Sequence, residues 1–209
     1  MKTIVVLSAL FLSSVFSCLS QETDTTEESN EWAFSAAANF YLLPDNEVYV
    51  NPVFTAQRKH MFLQARYNYE DLQTGSVFGG YNFSVGRKVE FSATPIAGVA
   101  FGNTNGIAPG LIWELNWWRL NLYTESEYLF DFSGKENNFY YAWAELTISP
   151  ADWLWLGITV QRTKLYETDL DVQRGITVGF NEKFLSVSAY IFNLGWDDPF
   201  GVVSVEVEF

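Results

Sequence analysis

The sequence has almost no cysteine or histidine, and basic residues are few. It contains one cysteine and one histidine in 209 residues, with 12 Lys and Arg against 25 Asp and Glu. One cysteine excludes an intramolecular disulfide and a cysteine metal cluster. The net charge of −13 argues against nucleic acid as a partner, because that requires a basic surface. With His60 as the only histidine, we expect no enzyme, no metal and no cofactor.

Long apolar runs are also missing beyond the first 20 residues, which excludes transmembrane helices. The start itself has the layout of a signal peptide: Lys2, an apolar stretch over residues 4–16, then the small residues Ser17, Cys18 and Ser20. We predict a signal peptide at 1–20, and hence export. A second interpretation of "VFSC" is a lipobox in which Cys18 is acylated.

Residues 21–31 are acidic and rich in Thr and Ser, with almost no apolar residue. Such a composition is typical of disorder, so we predict a disordered acidic tether here. From Trp32 to Phe209 no linker is apparent, and we predict a single domain over 32–209.

Within that domain nearly every segment alternates apolar and polar residues, which is the period of a β-strand. In 152–166, for example, Leu154, Leu156 and Ile158 alternate with Gly157 and Thr159. Turn residues separate twelve such segments. Their approximate ranges are 32–43, 46–58, 60–70, 73–85, 88–102, 105–117, 119–131, 137–149, 152–166, 170–181, 183–194 and 198–209.

Two folds share this alternation, a secreted β-sandwich and a membrane barrel, with inside and outside exchanged. Three features favour the barrel. The lysines avoid strand centres, whereas soluble sheets usually carry them there. The polar faces are rich in Gly, Ser, Thr, Asn and Tyr, which suits a crowded lumen. Aromatic residues gather at strand ends in "WELNWW", "ADWLWL" and "NFYYAW", as interfacial girdles do.

The final stretch, "GVVSVEVEF", places Val203, Val205, Val207 and Phe209 on one face. This ending resembles the C-terminal strand of bacterial outer-membrane β-barrel proteins. The resemblance implies that Phe209 is an assembly signal read by the barrel assembly machinery. It matches no characterised subfamily and so implies no functional residues.

We therefore predict an all-β fold, a transmembrane antiparallel up-and-down β-barrel of about 12 strands with short turns on both sides. An even strand count puts both termini in the periplasm and leaves the acidic loops outside. We expect none of these loops to be long enough to fold inward as a plug.

Charged residues on the predicted lumen face are the candidates for function. Glutamates recur on three consecutive strands, and one arginine lies across the barrel from them. Like charges so close repel unless they are solvated or paired. Two interpretations stay open: a satisfied polar core that closes the barrel, or a water-filled constriction that favours cations. The residues are Arg66, Glu114, Glu125, Glu127 and Glu145.

Two arginines lie near the outer ends of their strands, at positions that alternate with the polar face and so share the face of the lipid-exposed residues. Arg162 and Arg174 have a geometry suited to lipopolysaccharide phosphates. The alternative is an ion pair with Glu167, Asp169 or Asp171 in the intervening turn.

The function that we predict is a narrow passive channel of the bacterial outer membrane for small polar or cationic solutes. The alternative is a closed structural or surface-binding barrel without transport. Outer-membrane lipid is the expected partner in both.

Overall fold

A computed structural model describes residues 31–44, 47–164, 171–196 and 198–209. The predicted signal peptide and all but Glu31 of the predicted tether lie outside the described residues. The described chain contains strands and one short 3-10 turn, Lys135–Asn137. The strands are β1 Ala33–Leu42, β2 Val48–Arg58, β3 Met61–Tyr67, β4 Thr74–Tyr81, β5 Phe83–Gly86, β6 Val89–Gly102, β7 Gly106–Trp117, β8 Leu120–Asp131, β9 Phe139–Ala151, β10 Leu154–Arg162, β11 Gln173–Glu182, β12 Leu185–Phe192 and β13 Phe200–Glu208.

These strands form one closed antiparallel sheet. Each strand pairs with its neighbours in the chain, β1 pairs with β13, and both β4 and β5 pair with β6. β4 and β5 do not pair with each other but pair with successive parts of β6, so the two share one position in the ring. The thirteen strands therefore fill twelve positions. The predicted all-β barrel of about 12 strands is confirmed.

The predicted strand 73–85 is interrupted at Asn82, whose side chain points into the lumen. Its amide donates to Gln57 Oε1 at 2.9 Å, and its Oδ1 accepts from the Thr94 hydroxyl at 2.7 Å. Its backbone N–H donates to the carbonyl of His60, in register with the β3–β4 pairs. Side-chain hydrogen bonds to Gln57 and Thr94 therefore hold the chain at the break between β4 and β5.

The two ends of the barrel differ in their connections. At one end, five two-residue turns join the strands, and in three of them a non-glycine residue has a positive φ: Lys59 at 52°, Trp118 at 54° and Lys183 at 58°. Two-residue hairpins favour this conformation because it matches the strand twist. We call this the turn end; it also holds residues 33 and 208. The opposite, loop end has longer connections, so the expectation of short turns on both sides holds for the turn end only.

The outer surface of the barrel is apolar along the strands. On β10 and β11, for example, Leu156, Ile158, Ile176 and Val178 are all between 44% and 58% exposed. A water-soluble protein rarely exposes so continuous an apolar surface. The described strands form a single sheet closed on itself, so the β-sandwich alternative is wrong. In the described residues, no helix has the length and hydropathy to cross a membrane.

Aromatic residues gather at the strand ends only in part. Trp117, Trp118 and Trp153 are exposed at the turn end, as a girdle requires. Trp143 and Trp155 belong to the same aromatic-rich segments, but their odd positions on β9 and β10 turn them into the lumen, where Trp155 is 3% exposed. The exposed group lies at the end of β7 or in turns, whereas Trp143 and Trp155 occupy inward positions within strands.

Candidate functional site in the barrel lumen

The predicted lumen glutamates lie on three adjacent strands in a defined register. Glu114 on β7 and Glu145 on β9 both lie opposite Tyr123 of β8. One step towards the loop end, Glu125 lies opposite Trp143, which makes Glu125 and Glu145 diagonal neighbours. Glu127 occupies the next step. The four side chains therefore sit at three heights in the lumen.

Arg66 crosses the lumen from β3 to reach two of these glutamates on β8. Its Nη2 lies 2.9 Å from Glu125 Oε1, and its Nη1 donates to Glu127 Oε1. All three residues are at most 4% exposed. Since β3 and β8 are four strand positions apart in the ring of twelve, this ion pair joins two separate walls of the lumen.

A third carboxylate, from Glu70, completes the group. Arg66 Nη1 lies 3.3 Å from Glu70 Oε1, which also accepts a hydrogen bond from the Ser76 hydroxyl at 2.7 Å. We call Arg66, Glu70, Glu125 and Glu127 the Arg66 cluster. It opposes three carboxyl groups with one guanidinium. All three carboxyl groups converge on the arginine. In the described chain, no three acidic, histidine or cysteine side chains have the spacing of a metal site.

Two aromatic rings hold the guanidinium from either side. Arg66 Cζ lies 4.3 Å from the ring centroid of Phe78 and 4.4 Å from that of Tyr69. Both distances are within the range of a cation–π contact, which strengthens away from water. Gly98 makes room for Phe78, because a Cβ at that position would lie 2.6 Å from the ring's Cγ.

The loop at 68–73 folds into the lumen, so the expectation that no loop forms a plug is wrong. Asn68 and Gln73 both have a φ of 54°, and the Asn68 N–H donates to the carbonyl of Thr74 at 2.9 Å. This compact turn directs Tyr69 and Glu70 inward. Tyr69 accepts a hydrogen bond from the Tyr141 hydroxyl at 3.0 Å. A loop of six residues is long enough because a positive φ reverses the chain at each end.

The same loop is tied to the far side of the loop end. Asp71 Oδ2 accepts from the Thr104 hydroxyl at 2.6 Å and lies 3.3 Å from Lys164 Nζ. Lys164 follows β10, whereas Asp71 follows β3, so the contact crosses the mouth of the barrel. We call Asp71, Thr104 and Lys164 the mouth latch.

Aromatic residues fill the remaining lumen near the loop end. The rings of Phe192 and Phe200 stack at 4.9 Å, and Tyr41 stacks on Phe200 at 6.4 Å. Trp143 packs edge-on against Phe192 at 5.6 Å. A second group, Leu129, Phe139 and Tyr141, is also buried. The loop-end half of the lumen is therefore packed like a protein core.

Glu114 and Glu145 lie nearer the turn end, outside the Arg66 cluster. Glu114 accepts hydrogen bonds from the side-chain amides of Asn116, at 3.0 Å, and Asn121. Glu145 accepts from Trp143 Nε1 at 2.6 Å and from the Tyr190 hydroxyl at 3.0 Å, both on Oε1. Neither carboxylate has an ion-pair partner among the described residues.

Two small cavities lie in this turn-end half. One, of about 30 Å³, borders Glu145 and Trp155, and the other, of about 50 Å³, borders Glu114 and Tyr123. Volumes of this size hold roughly two to four water molecules. Neither has room for a sugar.

Net charge in the lumen is strongly negative. In the described strands, Arg66 is the only Lys or Arg at an inward position. Inward acidic residues near the turn end are Glu90, Glu114, Glu145, Glu206 and Glu208.

The remaining predicted sites are on the outside or at an edge of the barrel. Arg162 donates to the carbonyl of Tyr140, and Arg174 is exposed. Glu167 and Asp169, their alternative partners, lie outside the described residues. Phe209 is 68% exposed and exchanges backbone hydrogen bonds with Phe34 at 2.9 and 3.1 Å. His60 lies in a turn with its ring stacked on Tyr81.

Several residues of the lumen were missed at the level of sequence. Tyr69 and Glu70 end the predicted segment 60–70, where Glu70 alternates in phase with Arg66 and Tyr69 with the apolar face. The inward turn could have been suspected from Asn68, because asparagine tolerates a positive φ. Phe78 and Trp155 gave no signal, since an aromatic residue suits either face.

A closed twelve-stranded antiparallel barrel with an apolar exterior and a polar, acidic interior resembles bacterial outer-membrane β-barrel proteins. Among solved structures, it is similar to one titled "KdgM porin", with a TM-score of 0.63 and 14% identity over 84% of this chain and 99% of that chain. It is also similar to "KdgM porin in complex with disordered oligogalacturonate", with a TM-score of 0.59 and 12% identity over 85% and 99%. The chain thus has a porin-like fold. No protein-family model and no curated protein matches it.

Proposed function

We propose that this protein spans the bacterial outer membrane as a barrel, with its turn end in the periplasm. The exposed apolar side chains of the strands supply a surface for lipid, and Trp117, Trp118 and Trp153 supply an interfacial girdle at the turn end. Strands of 8 to 14 residues, such as β4 and β6, are near the length that a tilted strand needs to cross a bilayer.

Within that membrane, the barrel is closed in the described conformation. The observation that carries this proposal is the Arg66 cluster: the Arg66 side chain has no exposed area although it extends across the lumen. Residues that line an aqueous pore are wetted by it, whereas Glu70, Glu125 and Glu127 are buried as well. The inward loop and the mouth latch lie on the loop-end side of the same barrier.

A narrow channel for small polar or cationic solutes is the second candidate, and two observations favour it. The fold is porin-like, which supports a channel rather than an enzyme. The lumen carries an excess of carboxylates, which attracts cations and repels anions. An oligogalacturonate, the ligand named with one neighbour, carries a carboxylate on each sugar and is therefore a poor match for this lumen.

Conductance in planar bilayers separates the two candidates. We expect the refolded wild-type barrel to show no discrete openings above background. Discrete cation-selective openings, reduced in selectivity by Glu125→Gln or Glu145→Gln, would instead establish the channel. Correct folding is checked by the heat-dependent shift in gel mobility of the same preparation.

The contacts outside the lumen are separate proposals. Arg162 and Arg174 are proposed to contact lipopolysaccharide phosphates; Arg162→Gln should then weaken binding of lipopolysaccharide to the detergent-solubilised barrel. Phe209 is proposed as the residue read by the assembly machinery, so Phe209→Ala should slow membrane insertion in cells. An unchanged rate in cells would contradict that role.

A further inference from the structure

The cavity beside Glu145 has a polar lining that no contact of the Arg66 cluster uses. It is about 30 Å³ in volume. The register places its wall residues in two facing pairs on β12 and β13, Ser186 with Glu206 and Ser188 with Ser204. Ser186 and Glu206 are only partly buried, which leaves the cavity accessible from the turn end.

A glycine shapes the other side of the cavity. Gly179 lies opposite Trp155 on the neighbouring strand and also opposite Ser188 on the next. A Cβ on Gly179 would clash with Cζ2 and Cε2 of the indole. The missing side chain therefore lets the indole of Trp155 lie over β11, where it lines the same cavity as Ser188 of β12.

The indole nitrogen is an unsatisfied donor at this site. Trp155 is 3% exposed, and its Nε1 has no hydrogen-bond partner among the described residues. A buried donor without an acceptor is unfavourable. A buried donor of this kind indicates that an acceptor, such as a bound water, occupies the cavity.

The charged groups at the cavity are negative, whereas the indole N–H is a hydrogen-bond donor. Glu145 is 7% exposed, and two carboxylates line the cavity with no Lys or Arg among its lining residues. Both hydrogen bonds to Glu145 use Oε1, and the Tyr190 hydroxyl that makes one of them accepts from Ser188 at 3.2 Å. A buried carboxylate without a positive partner is unfavourable, so such groups pair with a cation or take up a proton.

We propose that this cavity binds a monovalent cation of the size of potassium or ammonium, together with one water. The cation lies between Glu145 and Glu206 with serine hydroxyls as further ligands, and the water accepts the Trp155 N–H. The buried Glu145 balances a single positive charge, while Glu206, at the accessible edge, keeps contact with solvent. Ca²⁺ requires 6–8 oxygen ligands and Mg²⁺ a strict octahedron. The volume admits about two atoms of water size. The site does not depend on whether the barrel conducts.

The test uses the Trp155 indole N–H as a local probe in the detergent-solubilised barrel. Its NMR signal is assigned by its loss in Trp155→Phe. Tetramethylammonium chloride, whose cation is too large for the cavity, is replaced stepwise by potassium or ammonium chloride at constant ionic strength. We expect a saturable shift of this signal and no shift of the exterior Trp117.

Matched variants make the result specific. Glu145→Gln should abolish the saturable shift, and Glu206→Gln, at the accessible edge, should raise the half-saturating concentration several-fold. Glu114→Gln, which removes the buried carboxylate of the other cavity, should leave the shift unchanged. A shift with ammonium alone would identify a hydrogen-bond-donating cation, and a shift with both ions a site that responds to charge and size.

A Trp155 signal that stays unchanged with both ions overturns the proposal and leaves a cavity filled by water alone. A shift that survives Glu145→Gln in a folded barrel overturns it too. Neither result concerns closure of the barrel, which is decided by conductance.

Discussion

The two halves of the lumen contain the same kinds of residue in different arrangements. In the loop-end half, charged groups are paired across the barrel, as Arg66 is with Glu125, and aromatic rings fill the space between them. In the turn-end half, Glu114 and Glu145 are bound only by neutral donors, and small cavities lie beside them. The loop-end half is a closed core, and the turn-end half is an acidic vestibule.

This difference shows what one basic residue does in an acidic lumen. Arg66 pairs with carboxylates from two separate parts of the chain, the 68–73 loop and β8, and thereby draws two walls and a loop together. Where no arginine is present, the carboxylates stay on their own walls, held by asparagine, tryptophan and tyrosine. The position of a single positive charge therefore divides a closely packed region from one that contains cavities.

The largest expected effect comes from removing that charge. Arg66→Gln leaves three buried carboxyl groups without a positive partner, and losing one member of a buried ion pair costs about 3–5 kcal/mol. Glu114→Gln in the turn-end half replaces a carboxylate that already has neutral donors, so we expect a change below about 1 kcal/mol. Urea unfolding of the refolded barrels measures both. An equal decrease in the free energy of unfolding in the two variants would contradict the distinction between a paired loop-end half and an unpaired turn-end half.

An intermediate effect is expected at Gly98, beneath the Phe78 ring. Gly98→Ala would push Phe78 against Arg66, and overpacking of this kind costs about 1–3 kcal/mol. Gly201→Ala is the matched control, because a Cβ there meets no atom closer than 3.7 Å and should change the free energy of unfolding by less than about 0.5 kcal/mol. If the two variants unfold at the same urea concentration, the ring is not tightly packed.

The smallest effect is expected at the mouth latch. The side chains of Lys164 and Asp71 are 37% and 19% exposed, and exposed ion pairs contribute at most about 1 kcal/mol. A double-mutant cycle on the free energy of unfolding, with Asp71→Asn and Lys164→Met, should give a coupling free energy of this size. That coupling free energy should decrease at high salt. A coupling of several kcal/mol would instead make the latch, and not the Arg66 cluster, the main closure of the lumen.

Much of this architecture was predictable because it depends on local alternation. The period of two identified the strands, their turns and their outward faces, as on β10, where Leu156 and Ile158 face outward and Thr159 inward. The same parity predicts the inward face for Arg66, Glu125 and Glu145, which are buried in the structure. The aromatic-rich segments do not follow from composition, since Trp153 is exposed in the turn between β9 and β10 while Trp155, of the same parity, lies in the lumen on β10.

Contacts between distant residues were not predictable in this way. Whether Glu125 meets solvent or Arg66 depends on the diameter of the ring and on side chains about 60 positions apart. The inward loop depends on two residues with a positive φ, Asn68 and Gln73, whose conformation is stabilised by bonds to neighbouring strands.

Alternation along the chain therefore decided which residues form strands and which way each side chain points, because strand geometry repeats every two residues wherever a strand occurs. Closure of the ring decided which of those side chains meet. Pairing of Arg66 with Glu70, Glu125 and Glu127, the seating of Phe78 on Gly98 and the unsatisfied Trp155 nitrogen arise only when opposite walls come within a few ångströms of each other, a distance that no local pattern encodes.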